Sequence, residues 1–281
     1  MGLIADVDGA AEGYESVSLP LLQAEPAGTH GRGGAVLRRR SARPTKRAVI
    51  YLHCMTDVFV PADIAGWYTE RGFHFYVADM RTLGVAGNPP VEARAETLAE
   101  YFACLDTAAR HVRDVDGIET VLICAHGTGA LVAALWCHAR RRSDPANALI
   151  LSSPAFGNAG SWLARAVVGG AAAVAIPRTP PLLALAQRRV RRGLEIECPV
   201  LVLCPAADWD AGDGSGGLLR LRGGAAARAT MRLGPHVTWL KMEGGLPGQA
   251  LPAGPERRRY FDELGRWLGA YLSGQIRDQL L

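Results

Sequence analysis

Short apolar runs bounded by polar residues recur along the chain at 48–53, 74–78, 121–125, 148–152, 200–204 and 236–242. None alternates cleanly between apolar and polar, which is the pattern of strands covered on both faces. The gaps between most of them carry helical periodicity, clearest over 62–71, 93–112, 130–141 and 257–272. In the last of these, Leu264, Trp267, Leu268 and Leu272 recur at helix spacing. Alternation of this kind predicts an α/β fold, a mostly parallel sheet with helices on both faces. Two earlier runs, 14–22 and 35–40, have no helix between them and predict an antiparallel hairpin at the sheet's edge.

The segment 154–197 interrupts the alternation with two helical pieces, 161–175 and 181–191, separated by a proline-rich turn at 177–181. The expected organisation is therefore a core made of 1–153 and 198–281, with 154–197 as a short helical cap insertion. The first cap helix carries Trp162, Leu163, Val167, Val168 and Val174, whose apolar face must cover something. It would close over an apolar ligand or meet a partner, most economically a second copy of the chain in a homodimer through the short cap.

With 281 residues, 49% of them hydrophobic and 21% charged, the chain has material for a sizeable core. Its 31 Lys and Arg against 27 Asp and Glu leave a net charge of +4, too little to demand a nucleic-acid partner, and the arginine runs read as solvated helix faces. Six cysteines form no C-x-x-C pair and sit in core-like segments, as expected of a reduced, cytoplasmic protein. The acidic start, Asp6, Asp8, Glu12 and Glu15, lacks the pattern of a secretion signal. The most apolar stretch, 162–176, is broken by Arg165 and Gly169-Gly170 and falls short of the roughly 20 residues of a membrane span. No metal-ligand spacing and no phosphate-binding glycine loop is found, so neither metal nor other cofactor is expected.

Reactive groups in such a sheet gather at the carboxyl ends of its strands. After 121–124 the chain reads Ala125-His126-Gly127-Thr128-Gly129 and enters a helix, the context of a G-x-S-x-G nucleophile turn with glycine in the serine's place. Nearby strand ends offer His53, Cys54, Thr56 and Asp57, and then Asp79 and Arg81. His126 could move a proton near neutral pH or simply pack behind the turn. Asp57 could activate water or pair within its loop. Cys124 reads as a packing thiol inside a strand, and Cys54 has no evident partner to activate it.

These motifs, in this order, resemble the α/β-hydrolase superfamily, specifically its monoacylglycerol lipase and serine-aminopeptidase-like branch. His53-Cys54-Met55-Thr56-Asp57 resembles the branch's His-Gly-aromatic-x-Asp loop, and Asp79 to Gly84 its Asp-x-Arg-x-x-Gly loop. Ala125 to Gly129 resembles Gly-His-Ser-x-Gly, and Ser153-Pro154 the start of the cap. The resemblance implies backbone N–H donors at Met55 and Thr128 facing an oxyanion. It also puts Gly127 at the nucleophile position and Pro247 at the histidine base position. The acid position falls on Asp208 or, in another alignment, on Arg222. The expectation is a pseudoenzyme with a degenerate triad, binding a small apolar carbonyl compound. The alternative is a non-covalent cyclase, lyase or isomerase using Asp57, His126 or Asp79.

Overall fold

The computed structural model describes residues 13–19, 35–53, 62–78, 98–156, 181–205, 227–242, 251–252 and 254–278. Eight strands form one sheet: β1 (Glu15–Ser18), β2 (Ala35–Arg39), β3 (Arg47–Leu52), β4 (His74–Ala78), β5 (Thr120–His126), β6 (Ala148–Ser152), β7 (Val200–Pro205) and β8 (Val237–Met242). Their order is β1-β2-β4-β3-β5-β6-β7-β8. The expected hairpin pairs β1 with β2 antiparallel and joins the sheet through β2 and β4, also antiparallel; every other pairing is parallel.

The continuous apolar runs have the reason the sequence suggested. Ile50 and Leu52 of β3, Ile123 and Ala125 of β5 and Leu149 and Leu151 of β6 face one core, with α2 (Leu98–Arg110), α3 (Gly127–Ala139) and α4 (Pro181–Arg192). Val49, Tyr51, Leu122, Cys124 and Ile150 face a second core, closed by α1 (Ala62–Glu70) and α5 (Pro255–Asp278). Both sets must be apolar because no face of these strands meets water. α3 runs deepest, buried at every residue from Gly127 to Cys137. It therefore shows almost no amphipathic stripe.

Helix boundaries differ from the sequence reading in instructive ways. α3 begins three residues earlier than expected, because one left-handed residue converts β5 into the helix with no intervening loop. α2 passes into a π-helical turn, His111–Val115, and the chain leaves it through Gly117 at φ 67°. α5 starts at Pro255, whose missing N–H costs nothing in a first helical turn, and continues to Asp278 rather than stopping near Leu272. The second helical piece expected within 154–197 is α4, while the first, over 161–175, lies outside the described residues.

A network of charges ties the hairpin to the sheet. Arg38 of β2 donates through Nη1 to both carboxylate oxygens of Asp116, at 2.8 and 3.0 Å, and through Nη2 to Glu15 at 2.7 Å. Tyr76 Oη donates to Asp116 Oδ2 at 2.7 Å. Further back along the same helix, Asp106 of α2 accepts from Trp136 Nε1 at 2.9 Å and from Arg140 Nη2 at 2.7 Å, joining α2 to the end of α3.

Candidate functional site

The strand order locates the site. From β3 the chain moves to one side to form β4 and then crosses to the other side to form β5, so β3 and β5 are neighbours whose connections diverge. The crevice outside the carboxyl ends of two such strands is where ligands bind in open α/β sheets. Leu52 pairs with Ala125 in register, so the next residues, His53 and His126, sit at the mouth of that crevice on adjacent strands. Both are buried, at 3% and 2% exposure.

The turn after β5 is tight. His126 is extended, at φ −123° and ψ 143°, and Gly127 follows at φ 57°. The left-handed region costs a residue with a Cβ about 1–2 kcal/mol and costs glycine little. The polypeptide then enters α3 directly, and no side chain caps the helix. The N-terminal end of α3, with its partial positive charge and first-turn N–H groups, thus points at the strand ends. Thr128, in that first turn, is buried.

Gly129 lets the helix come this close. A Cβ there would meet the backbone carbonyl oxygens of His53 and Leu52. The loop after β6 closes the turn from the other side: Ala155 N–H donates to Gly127 O at 3.0 Å, and Ser153 N–H to Leu203 O at 2.8 Å. Ser153 itself is left-handed at φ 45° and buried, and its hydroxyl finds no hydrogen-bond partner among the described residues. The sequence marked Ser153-Pro154 only as the start of the cap. That its loop holds the Gly127 carbonyl had no signal, since the two lie on different βα units.

Of the expected site residues, the structure therefore gathers His53, His126, Gly127 and Thr128 at one place. Cys54, Met55, Asp57, Asp79, Arg81, Asp208, Arg222 and Pro247 lie outside the described residues. Two further histidines lie away from the crevice. His138 lies near the far end of α3, where Nδ1 accepts the Glu195 N–H at 3.0 Å. His236 precedes β8 at the opposite end of the sheet, where its carbonyl accepts the Val200 N–H. Cys124 is fully enclosed beneath the turn, and burial pushes its thiol up to about 12, with the Tyr68 hydroxyl pulling weakly the other way. Such a thiol is a packing group, not a nucleophile. Among the described residues, no three His, Cys, Asp or Glu side chains cluster as a metal site requires, and no helix is long and apolar enough to cross a membrane.

The chain matches the family described as serine aminopeptidase, S33, over residues 43–192, more than half of its length. No curated protein sequence matches it significantly. Solved structures with the same fold include the ferulic-acid complex of Est1E from Butyrivibrio proteoclasticus, at 14% identity and a TM-score of 0.58, covering 85% of this chain and 95% of that one. The monoacylglycerol lipase of Paleococcus ferrophilus aligns at 16% identity and a TM-score of 0.56, covering 84% of this chain and 99% of that one. A hyperthermophilic esterase from Pyrobaculum calidifontis aligns at 16% identity and a TM-score of 0.58, with 92% and 83% covered.

Proposed function

The chain belongs to the serine aminopeptidase (S33) family of α/β-hydrolases, and from that premise we propose that it has given up acyl transfer and kept the cleft, binding a small apolar carbonyl compound as a binding or accessory protein. The observation that carries this reading is Gly127. It stands at the apex of the strand-to-helix turn, in the left-handed conformation of a nucleophile-bearing turn, with no oxygen or sulfur to attack a carbonyl. Pro247, at the base position of the matching loop, has no side chain that could take a proton from an attacking group. An acid at Asp208, or its absence at Arg222, then has no imidazole to orient.

Binding would draw on what the turn retains. The positive end of α3 and the Thr128 N–H favour a carbonyl or carboxylate oxygen whether or not a covalent step follows, and the family resemblance would add the Met55 N–H. In this reading the 154–197 insertion supplies the apolar wall, as a cap over the ligand or as the contact between two copies. Ferulic acid, which the Est1E structure holds, illustrates the chemical class: a flat aromatic body ending in a carboxyl group. Purified protein is expected neither to react with a fluorophosphonate probe nor to hydrolyse p-nitrophenyl esters, and a ferulate-like acid is expected to raise its Tm. Robust labelling, or ester turnover, would overturn the reading.

A second reading is favoured by the register that sets His53 beside His126. Two buried imidazoles at the crevice could move protons in a cyclase, lyase or isomerase that needs no covalent intermediate, with Asp57 or Asp79 as further acid–base groups. Loss of turnover of an identified substrate in His126→Ala, with folding retained, would establish it over the first.

A further inference from the structure

Cys137 and Cys198 are 61 positions apart in the sequence and meet at the far end of α3 from the cleft. Cys198 lies in the segment that leads from α4, the end of the insertion, into β7. This segment is held against α3 by several contacts. Glu195 N–H donates to His138 Nδ1 at 3.0 Å, Arg141 binds the Glu195 carboxylate at 3.0 Å, and Arg141 also donates to the His138 carbonyl at 2.9 Å. Both cysteines line one small open cleft, together with Arg141, Asp144, Ala146 and Glu197.

Lining one cleft, the two thiols interact with each other. That interaction favours the Cys198 thiolate and holds its pKa below the ordinary thiol value, against the opposing effects of burial and of Asp144. The same interaction, reinforced by burial, pushes Cys137 well above it. Cys137 is 1% exposed, whereas Cys198 is partly exposed and reachable from the cleft. An accessible, activated thiol beside a buried resolving thiol is the arrangement of a redox-sensitive pair.

We propose that Cys137 and Cys198 form a reversible disulfide that fastens the end of the 154–197 insertion to the helix carrying the Gly127 turn. The oxidant is a low-molecular-weight disulfide. The Cys198 thiolate attacks one of its sulfurs, a bond forms between them, the oxidant's S–S bond breaks and one thiolate leaves. Cys137 then loses its proton to water and attacks Cys198 Sγ, and the second small thiolate leaves. Two protein thiols are oxidised as one small disulfide is reduced to two thiols. A reducing compartment keeps the pair open, and a shift towards oxidised disulfides closes it.

The test treats the native full-length protein with oxidised glutathione, blocks the remaining thiols, digests without reduction and maps the linked peptides by mass spectrometry. The expected result is a Cys137–Cys198 cross-link that dithiothreitol reverses, with Tm raised by roughly 5 °C or more in the oxidised form. Cys198→Ser should lose the cross-link and leave Cys137 unmodified. A stable glutathione adduct on Cys198 with Cys137 still free, or two unmodified thiols after prolonged treatment, overturns the proposal. The outcome is independent of whether the cleft binds a carbonyl compound.

Discussion

A Cβ placed on Gly129 would lie 2.4 Å from the carbonyl oxygen of His53 and 2.8 Å from that of Leu52. Both oxygens belong to the backbone at the end of β3, which is held between β4 and β5, so neither can swing aside as a side chain could. The closeness of α3 to the crevice therefore depends on this one missing methyl group. Gly129→Ala is expected to destabilise the protein by about 3 kcal/mol, the upper end of the range of overpacking, since the backbone must absorb it. Urea denaturation measures it, and a loss below about 1 kcal/mol would mean that α3 can slide away without penalty.

Gly127 makes a different demand, one of conformation. At φ 57° a side chain is strained, so Gly127→Ala should cost about 1–2 kcal/mol. Gly127→Ser should cost a similar amount and, on the proposed loss of the base, still give no fluorophosphonate labelling, because a serine that no base activates remains an ordinary alcohol. Rapid labelling of this variant would reveal an intact base in the cleft and defeat the reading of a degenerate triad.

Two histidines should make stability fall in mild acid. Burial lowers the pKa of His74, with the Arg40 charge assisting, and its Nδ1 accepts the Ser41 N–H at 3.0 Å. Burial also lowers that of His138, helped by Arg141 and Arg189, and its Nδ1 accepts from Glu195. A histidine whose folded pKa lies below its unfolded value of about 6.5 contributes fully above that pH, and the contribution is lost as pH falls below it, because the unfolded chain takes up the proton first. Unfolding free energies between about pH 7.5 and 5 should therefore decline, and less steeply in His74→Asn/His138→Asn, whose Oδ1 atoms can accept the same N–H groups without titrating. Equal slopes would refute the assignment.

Asp116 governs a lower range. Burial alone would raise its pKa, but the Tyr76 hydroxyl and the Arg38 guanidinium outweigh that and hold it below the usual aspartate value. Its contribution is present above about pH 4 and is lost as pH falls through the folded pKa. Asp116→Asn leaves the partly buried Arg38 without its buried counter-charge, with only the exposed Glu15 remaining, and should cost about 2–4 kcal/mol at neutral pH. The difference from wild type should shrink at about pH 3, which chemical denaturation at both pH values would show.

Much of the scaffold could be read along the chain because its physical cause is local. A strand covered on both faces must be apolar at every position, and so 48–53 and 148–152 stand out without any knowledge of what covers them. The Gly127 turn could be read for the same reason: a strand that becomes a helix without a loop needs a left-handed residue, and glycine takes that conformation most easily. Helix limits were less legible. The π-helical end of α2, with Val112 buried, depends on packing that no window of the sequence contains.

The chain's own pattern was enough to establish the layered α/β class, the edge hairpin and the glycine at the turn, since each follows from what neighbouring residues require of one another. The strand order, the abutment of Gly129 on His53, the grip of Ala155 on the Gly127 carbonyl, the Arg38–Asp116 pair and the meeting of Cys137 with Cys198 were decided only by folding. Each joins segments tens of residues apart, and residue spacing encodes no distance across a sheet: crossover connections, not periodicity, choose which strand ends become neighbours.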